Sequence, residues 1–245
     1  MRRFEAVGVA PWKRSSHSLR PRFNAPAASG FLFCAKAPRA IDNSIWTDIL
    51  IFVPKPSNRE KILIKGLRVV HERGYAGASV RDIVQAAGVP QGSFTNHFAS
   101  KEAFALEILD LYFANGGEVR RETLLNDALP PLQRLAAWID ANTSRLNQDS
   151  MRTGCLFGNF TAEASEHSEV IRNRLVEIFT EVAQAVAYCL RAAVQAGELS
   201  PGVDCDEVSR FVVSSLQGAN LLAKAQRSPV PVERFKKILF SMVLR

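Results

Sequence analysis

Residues 79–101, SVRDIVQAAGVPQGSFTNHFASK, spell two short helices joined by a glycine turn. Ser79 with Asp82 three residues on is a capping box that opens the first helix. Val80, Ile83, Val84 and Ala87 recur at i, i+3, i+4 and i+7, so that helix buries one face. Gly88 takes the left-handed turn that other residues resist, and Val89 plugs it. Pro90 pre-sets the first backbone angle of a second helix, Gln91 to Phe98. Its only large apolar residues, Phe94 and Phe98, lie four apart and anchor one side. Gln91, Ser93, Thr95, Asn96 and His97 cover the other with small hydrogen-bonding groups. Such a rod suits the major groove of a duplex, where amides such as Gln91 and Asn96 match adenine edges. Ser93 and Thr95 reach bases or phosphates, and His97 donates to a phosphate. Lys101, at the start of the next helix, meets backbone phosphate together with that helix's free N–H groups. The candidate duplex contacts are Ser79, Arg81, Gln91, Gly92, Ser93, Thr95, Asn96, His97 and Lys101. Two helices about a glycine turn also occur as plain packing; here several independent signals coincide in one stretch.

These residues resemble the TetR family of bacterial transcriptional regulators. The resemblance runs from about Asn58 to Phe104 and takes in 59-REKILIKGLRVVHERGY-75, the ASVRDIVQAAGV segment and 92-GSFTNHFASKEAF-104. The family pattern places a tyrosine, a phosphate or base-edge contact, where this chain has Thr95. A second segment, Gly154-Cys155-Leu156-Phe157-Gly158-Asn159, resembles the opening of a ligand-domain helix in one subgroup. The resemblance implies a homodimer on a palindromic operator, released when a small-molecule effector favours a conformer whose reading heads are wrongly spaced. A helical carrier or enzyme that keeps the N-terminal helices unused is the alternative, and the Thr95 departure keeps it open.

Working outward, the 245 residues are 47% hydrophobic and 22% charged, with no apolar run near the ~20 residues a bilayer requires. The net charge of +7 is carried almost wholly by residues 1–57, whose balance is +6, leaving +1 for the rest. A near-neutral body excludes indiscriminate coating of nucleic acid and calls for a local basic face. That face draws on Arg59, Lys61, Lys65, Arg68, Arg73, Arg81 and Lys101. Residues 1–56 are proline-rich, basic and without periodicity. They read as a disordered basic extension, as a DNA-contacting arm, as a transit peptide or as the product of a mis-assigned start. Cys34, Cys155, Cys189 and Cys205 form no CxxC pair and suit reduced thiols.

The pattern predicts an all-α chain: a DNA-binding domain over 57–104, then a larger effector-binding and dimerisation domain over 105–245. Ser57 and Glu60 form a capping box ahead of a stripe of Ile62, Leu63, Leu67 and Val70. Ser100 caps a fourth helix that Gly116-Gly117 weakens. Later helices run from Pro130-Pro131 to about Leu146, from Gly154 to Ala164, from Ser168 to about Ala196, and from Asp204 or Asp206 to about Arg227. A last short one follows Pro229 and Pro231. For dimerisation the stripe Val208, Phe211, Val212, Ser215, Leu216, Ala219 and Leu222 is the candidate.

For an effector cavity, Phe113, Trp138, Phe157, Phe160 and Tyr188 are candidate apolar walls, with Asn142, Asn159 and Thr161 to orient a ligand. Cys155, near a helix start and three residues past Arg152, is a candidate for a reactive thiolate, against an ordinary buried thiol. Glu163, Glu166, His167 and Glu169 cluster, but their spacing reads as a solvated helix end. The chain shows no catalytic, cofactor or metal motif: HExxH, the P-loop, GxGxxG and GxSxG are all missing.

Overall fold

The computed structural model describes residues 56–244, so the readings of the N-terminal extension, with Cys34, lie outside the described residues apart from Pro56. Ten α-helices follow in order: α1 (Asn58–Arg73), α2 (Val80–Ala87), α3 (Gly92–His97), α4 (Lys101–Asn115), α5 (Gly117–Glu122), α6 (Pro131–Asn147), α7 (Leu156–Ala164), α8 (Glu169–Gln195), α9 (Cys205–Gln226) and α10 (Val230–Ile238). One π-helical turn, Leu239–Val243, ends the series, and no strand occurs among the described residues.

Side-chain caps set most of the starts. Ser57 with Glu60 and Ser79 with Asp82 form complete capping boxes. Ser100, Ser168 and Asp204 accept from the first-turn N–H groups of α4, α8 and α9. Gly88 closes α2 at φ +64°, in the left-handed region. Gly116 breaks the fourth helix, as its composition suggests, but the chain resumes at once as α5, which the pattern did not reveal.

Two apolar clusters hold these helices. In the first, Ile62 and Val70 of α1, Ile83 and Val84 of α2, and Phe94 and Phe98 meet Phe104 and Ile108 of α4. Phe157 and Phe160 of α7 and Ile171, Leu175 and Ile178 of α8 belong to the same cluster. The second joins α6, the later part of α8, α9 and α10 through Leu135, Ile139, Val186, Leu190, Val212 and Leu216. The packing therefore divides inside α8, and α4 and α7 share one core with α1 to α3. Gly66 permits the close crossing in that core: a Cβ there would lie 2.6 Å from Phe104 Cζ and 2.8 Å from Ile83 Cγ2.

Polar ties reinforce the joint. His71 Nε2 donates to the Gly154 carbonyl at 2.8 Å, and the Ala76 N–H donates to Glu163 at 3.2 Å. Tyr75 stacks against Phe160 at 5.2 Å between ring centroids, and Ser168 Oγ donates to Glu102. These contacts tie α7 and the turn before it to the α1–α2 corner.

Candidate functional site: nucleic-acid interface and inner cavity

The third helix is anchored from below by three rings. Phe94 and Phe98 are 2% and 3% exposed, and each packs on Phe104, with centroids 5.4 and 5.2 Å away. Gln91, Gly92, Thr95, Asn96 and His97 face solvent on the opposite side. Thr95 Oγ1 donates to the Gly92 carbonyl at 3.1 Å, which fixes its rotamer within the helix. Ser93 departs from the sequence expectation. It is buried, because it adjoins Phe94 on the side of the rod that packs on α1 and α2, so it does not stand among the outward groups.

Around the rod, Ser79 is exposed but its hydroxyl is engaged: it donates to Asp82 and accepts the Asp82 N–H at 3.1 Å. The Ser79 hydroxyl and the Ser79 N–H, both donating to it, with Arg73 beside it, hold the Asp82 carboxyl below its ordinary range. Lys101 also differs from expectation, because its Nζ donates to the Tyr75 carbonyl at 2.5 Å and sits 4.6 Å over the Tyr75 ring. Partial burial lowers its pKa. Among the basic residues, Arg59 pairs with Glu107, Arg68 with Glu72 and Arg73 with Asp82. Lys61, Lys65 and Arg81 have no ion-pair partner among the described residues. Exposed pairs contribute little, about 0–1 kcal/mol, so phosphate can compete for the paired arginines.

Two spaces lie among the later helices. An inner cavity of about 60 Å³ is walled by α4, α5, α6, α7, α8 and α9. A groove of about 780 Å³ runs over α7, α8 and α9 and shares Cys155, Phe179, Val213, Gln217 and Asn220 with it. The structure brings Trp138, Asn142, Cys155 and Phe157 together at the inner cavity, while Asn159 borders the groove. Asn142 donates to the Trp138 carbonyl, and Asn159 is engaged twice, donating to Thr153 O and accepting from Lys224 Nζ, each at 2.9 Å. Cys155 stands half-buried at the N-cap of α7.

Three expected wall residues lie elsewhere. Phe160 is core against Tyr75, and Phe113 lies under the Arg120 guanidinium at 3.9 Å. Tyr188 is nine residues past Phe179, about two and a half turns, which turns it to the opposite side of α8. There its hydroxyl donates to Asp127 at 2.9 Å, beside Arg134. Tyr112, Arg120, Arg145, Gln217 and Asn220 also wall the inner cavity, and the sequence reading missed them. Asn220 carried a usable signal: a carboxamide in phase with Val212, Leu216 and Ala219 on the buried face of α9. Burial, with Cys155 nearby, pushes the Tyr112 phenol up to about 12. The clustered acids do not converge; Glu163 instead reaches the α1–α2 corner.

The outer face of α9 is apolar and uncovered: Phe211, Leu221 and Leu222 are 48%, 67% and 53% exposed, with Ser214 and Gly218 between them. Three of the seven residues of the expected dimer stripe point the other way, since Val212, Leu216 and Ala219 fill the chain's own core.

Comparison with known proteins gives this arrangement a family. Residues 62–108 match the bacterial regulatory proteins of the tetR family, and residues 131–239 match the tetracyclin repressor-like C-terminal domain. The chain is 36% identical over 186 residues to the HTH-type transcriptional repressor DhaR of Mycobacterium sp. strain GP1, covering 76% of this chain and 92% of that protein. It is 30% identical to the transcriptional regulator AcuR of Cereibacter sphaeroides, covering 75% and 84%. Among solved structures, the regulatory protein TetR from Rhodobacter sphaeroides superposes with a TM-score of 0.70 at 28% identity, covering 74% of this chain and 95% of that one. The regulator CifR, solved as a cysteine mutant with 26-bp operator DNA, superposes with a TM-score of 0.67 at 25% identity, covering 77% and 99%. On its paired N-terminal helices, its C-terminal body and these likenesses, the chain belongs to the TetR family of bacterial transcriptional regulators.

Proposed function

We propose that this protein is a cytoplasmic, ligand-responsive repressor that binds a palindromic operator as a homodimer and performs no catalysis. The carrying observation is the α3 rod, ring-anchored beneath and presenting Gln91, Thr95, Asn96 and His97 to solvent. Residues 57–104 serve as the reading head and residues 105–245 as the effector-binding and dimerising body. One rod makes too few base contacts for selectivity, since each mismatch costs about 1–3 kcal/mol, and a symmetric dimer doubles them. The uncovered face of α9 supports that dimer, with Gly218 and Ser214 allowing close approach between Phe211, Leu221 and Leu222.

An effector in the inner cavity touches Phe157 of α7 and Tyr112 of α4, whose rings meet edge-on at 4.9 Å. From there α7 reaches the corner between α1 and α2 through Glu163 and Phe160. The effector releases DNA to the extent that it binds the DNA-incompetent arrangement more tightly. The test is selection of sites from a random duplex pool, followed by the stoichiometry of the complex. Enrichment of an inverted repeat holding two chains is expected. A pool that yields no preferred sequence would favour a helical carrier that does not use its reading helix.

A further inference from the structure

The inner cavity is charged in one sense only. Arg120 and Arg145 border it, and no Asp or Glu does. Neither guanidinium has a carboxylate within ion-pair distance among the described residues. Arg120 donates to the Phe113 carbonyl at 3.1 Å, and Arg145 lies 4.6 Å over the Tyr112 ring, which leaves most of their five N–H donors each without a strong acceptor. Burial lowers the Arg120 pKa; the more distant Glu181 carboxylate works against that, and the neighbouring Arg121 and Arg145 add to it. Half-buried cations without counter-charge are costly unless something supplies it.

Two lining residues of α9 carry the complementary deficit. Asn220 is only 6% exposed, yet its Oδ1 accepts no hydrogen bond, and Gln217 Oε1 is likewise buried and unpartnered. Buried acceptors left in this state are uncommon, and each asks for a donor. The rest of the wall is mostly apolar, with Trp138, Phe157 and Phe179 among it, and Asn142, engaged with the Trp138 carbonyl, its one further amide. At about 60 Å³ the space is small, which limits an occupant to a few heavy atoms.

Resting on the reading of this cavity as the effector site, we propose that it takes a short 2-hydroxycarboxylate. The carboxylate lies against Arg120 and Arg145, and the hydroxyl donates to the Asn220 amide oxygen. Planar guanidinium groups match a carboxylate's two oxygens, and one hydroxyl satisfies the orphaned acceptor. Acetate supplies the charge without the donor, and glycolamide the donor without the charge.

Calorimetry on the full chain with glycolate, acetate and glycolamide tests this, with sodium chloride at equal strength as the control. Glycolate is expected to bind saturably, acetate at least fivefold more weakly, and glycolamide not at all. Arg145→Gln is expected to weaken glycolate by tenfold or more. Asn220→Leu is expected to erase the preference for glycolate over acetate. Helicity and the cooperativity of unfolding confirm that each variant folds, and Arg120→Gln replaces Arg145→Gln if the latter does not. The proposal is overturned if glycolamide binds as well as glycolate, if chloride reproduces the glycolate heat, or if glycolate gives no saturable heat. DNA release is measured separately. Glycolate that binds without releasing DNA sinks the effector reading and leaves the anion site standing. Absent glycolate binding, with release by neutral apolar compounds, does the reverse.

Discussion

At the scale of single residues, the reading rod separates groups that sequence alone treats alike. Gln91, Ser93, Thr95 and Asn96 are all small or medium polar residues on one short helix, yet Ser93 is buried and the others are exposed. Asn96→Ala is therefore expected to weaken binding to the selected operator by about 1–3 kcal/mol and to relax the preference at one base pair. Ser93→Ala leaves that preference intact. Arg81, exposed and without an ion-pair partner among the described residues, is expected to act through phosphate. Arg81→Ala then weakens all duplexes alike and lowers the slope of log affinity against log salt by about one. His71 gives a pH signature. Burial lowers its pKa from the ordinary 6.5, so the neutral ring that donates to Gly154 is the folded form. As pH falls through 6.5, the unfolded chain takes up the proton first, and stability declines. Denaturation midpoints at about pH 8 and about pH 5 are expected to lie closer together in His71→Gln than in the wild type.

At the scale of helices, the starts and apolar faces were legible because they rest on local chemistry. Ser57, Ser79, Ser100 and Ser168 each cap the helix that follows. Ile83, Val84 and Ala87 were assigned inward from spacing and are buried. Replacing Ser79 by alanine removes a cap and is expected to cost about 1 kcal/mol in chemical denaturation. What was not legible depends on neighbours. Gly66 lies in a good helical stretch, and nothing local marks it as the crossing point with Phe104 and Ile83. Gly66→Ala is expected to destabilise by about 1–3 kcal/mol through overpacking, and to lower operator affinity by shifting α1 against α4. The commitment of Lys101 to Tyr75 is of the same kind, because twenty-six residues separate the partners.

At the scale of the whole chain, the cavity is where sequence reading ran short. Its walls come from six helices, so no window of sequence contains it. Aromatics are conspicuous in a sequence and were sought there, yet Phe113, Phe160 and Tyr188 serve packing or a separate polar contact. Arg120, Arg145 and Gln217 stood out only once burial was known, whereas Asn220 was marked by its place among the apolar residues of α9. The dimer stripe was half legible for a related reason: α9 is apolar on two opposed sides, and only folding shows which is already covered. Leu222→Glu, on the uncovered side, is expected to yield monomers in sedimentation and to abolish tight operator binding without unfolding the chain.

The central claim is that the outward face of α3 reads DNA sequence. Fluorescence anisotropy at fixed salt measures it most directly, comparing the duplex upstream of the protein's own gene with a scrambled duplex of equal length. The wild type is expected to prefer the former by about 10³-fold or more, and the Gln91→Ala/Asn96→Ala double variant to lose that preference while keeping its weak, salt-sensitive binding to both. Equal affinity of the wild type for the two duplexes would contradict the account.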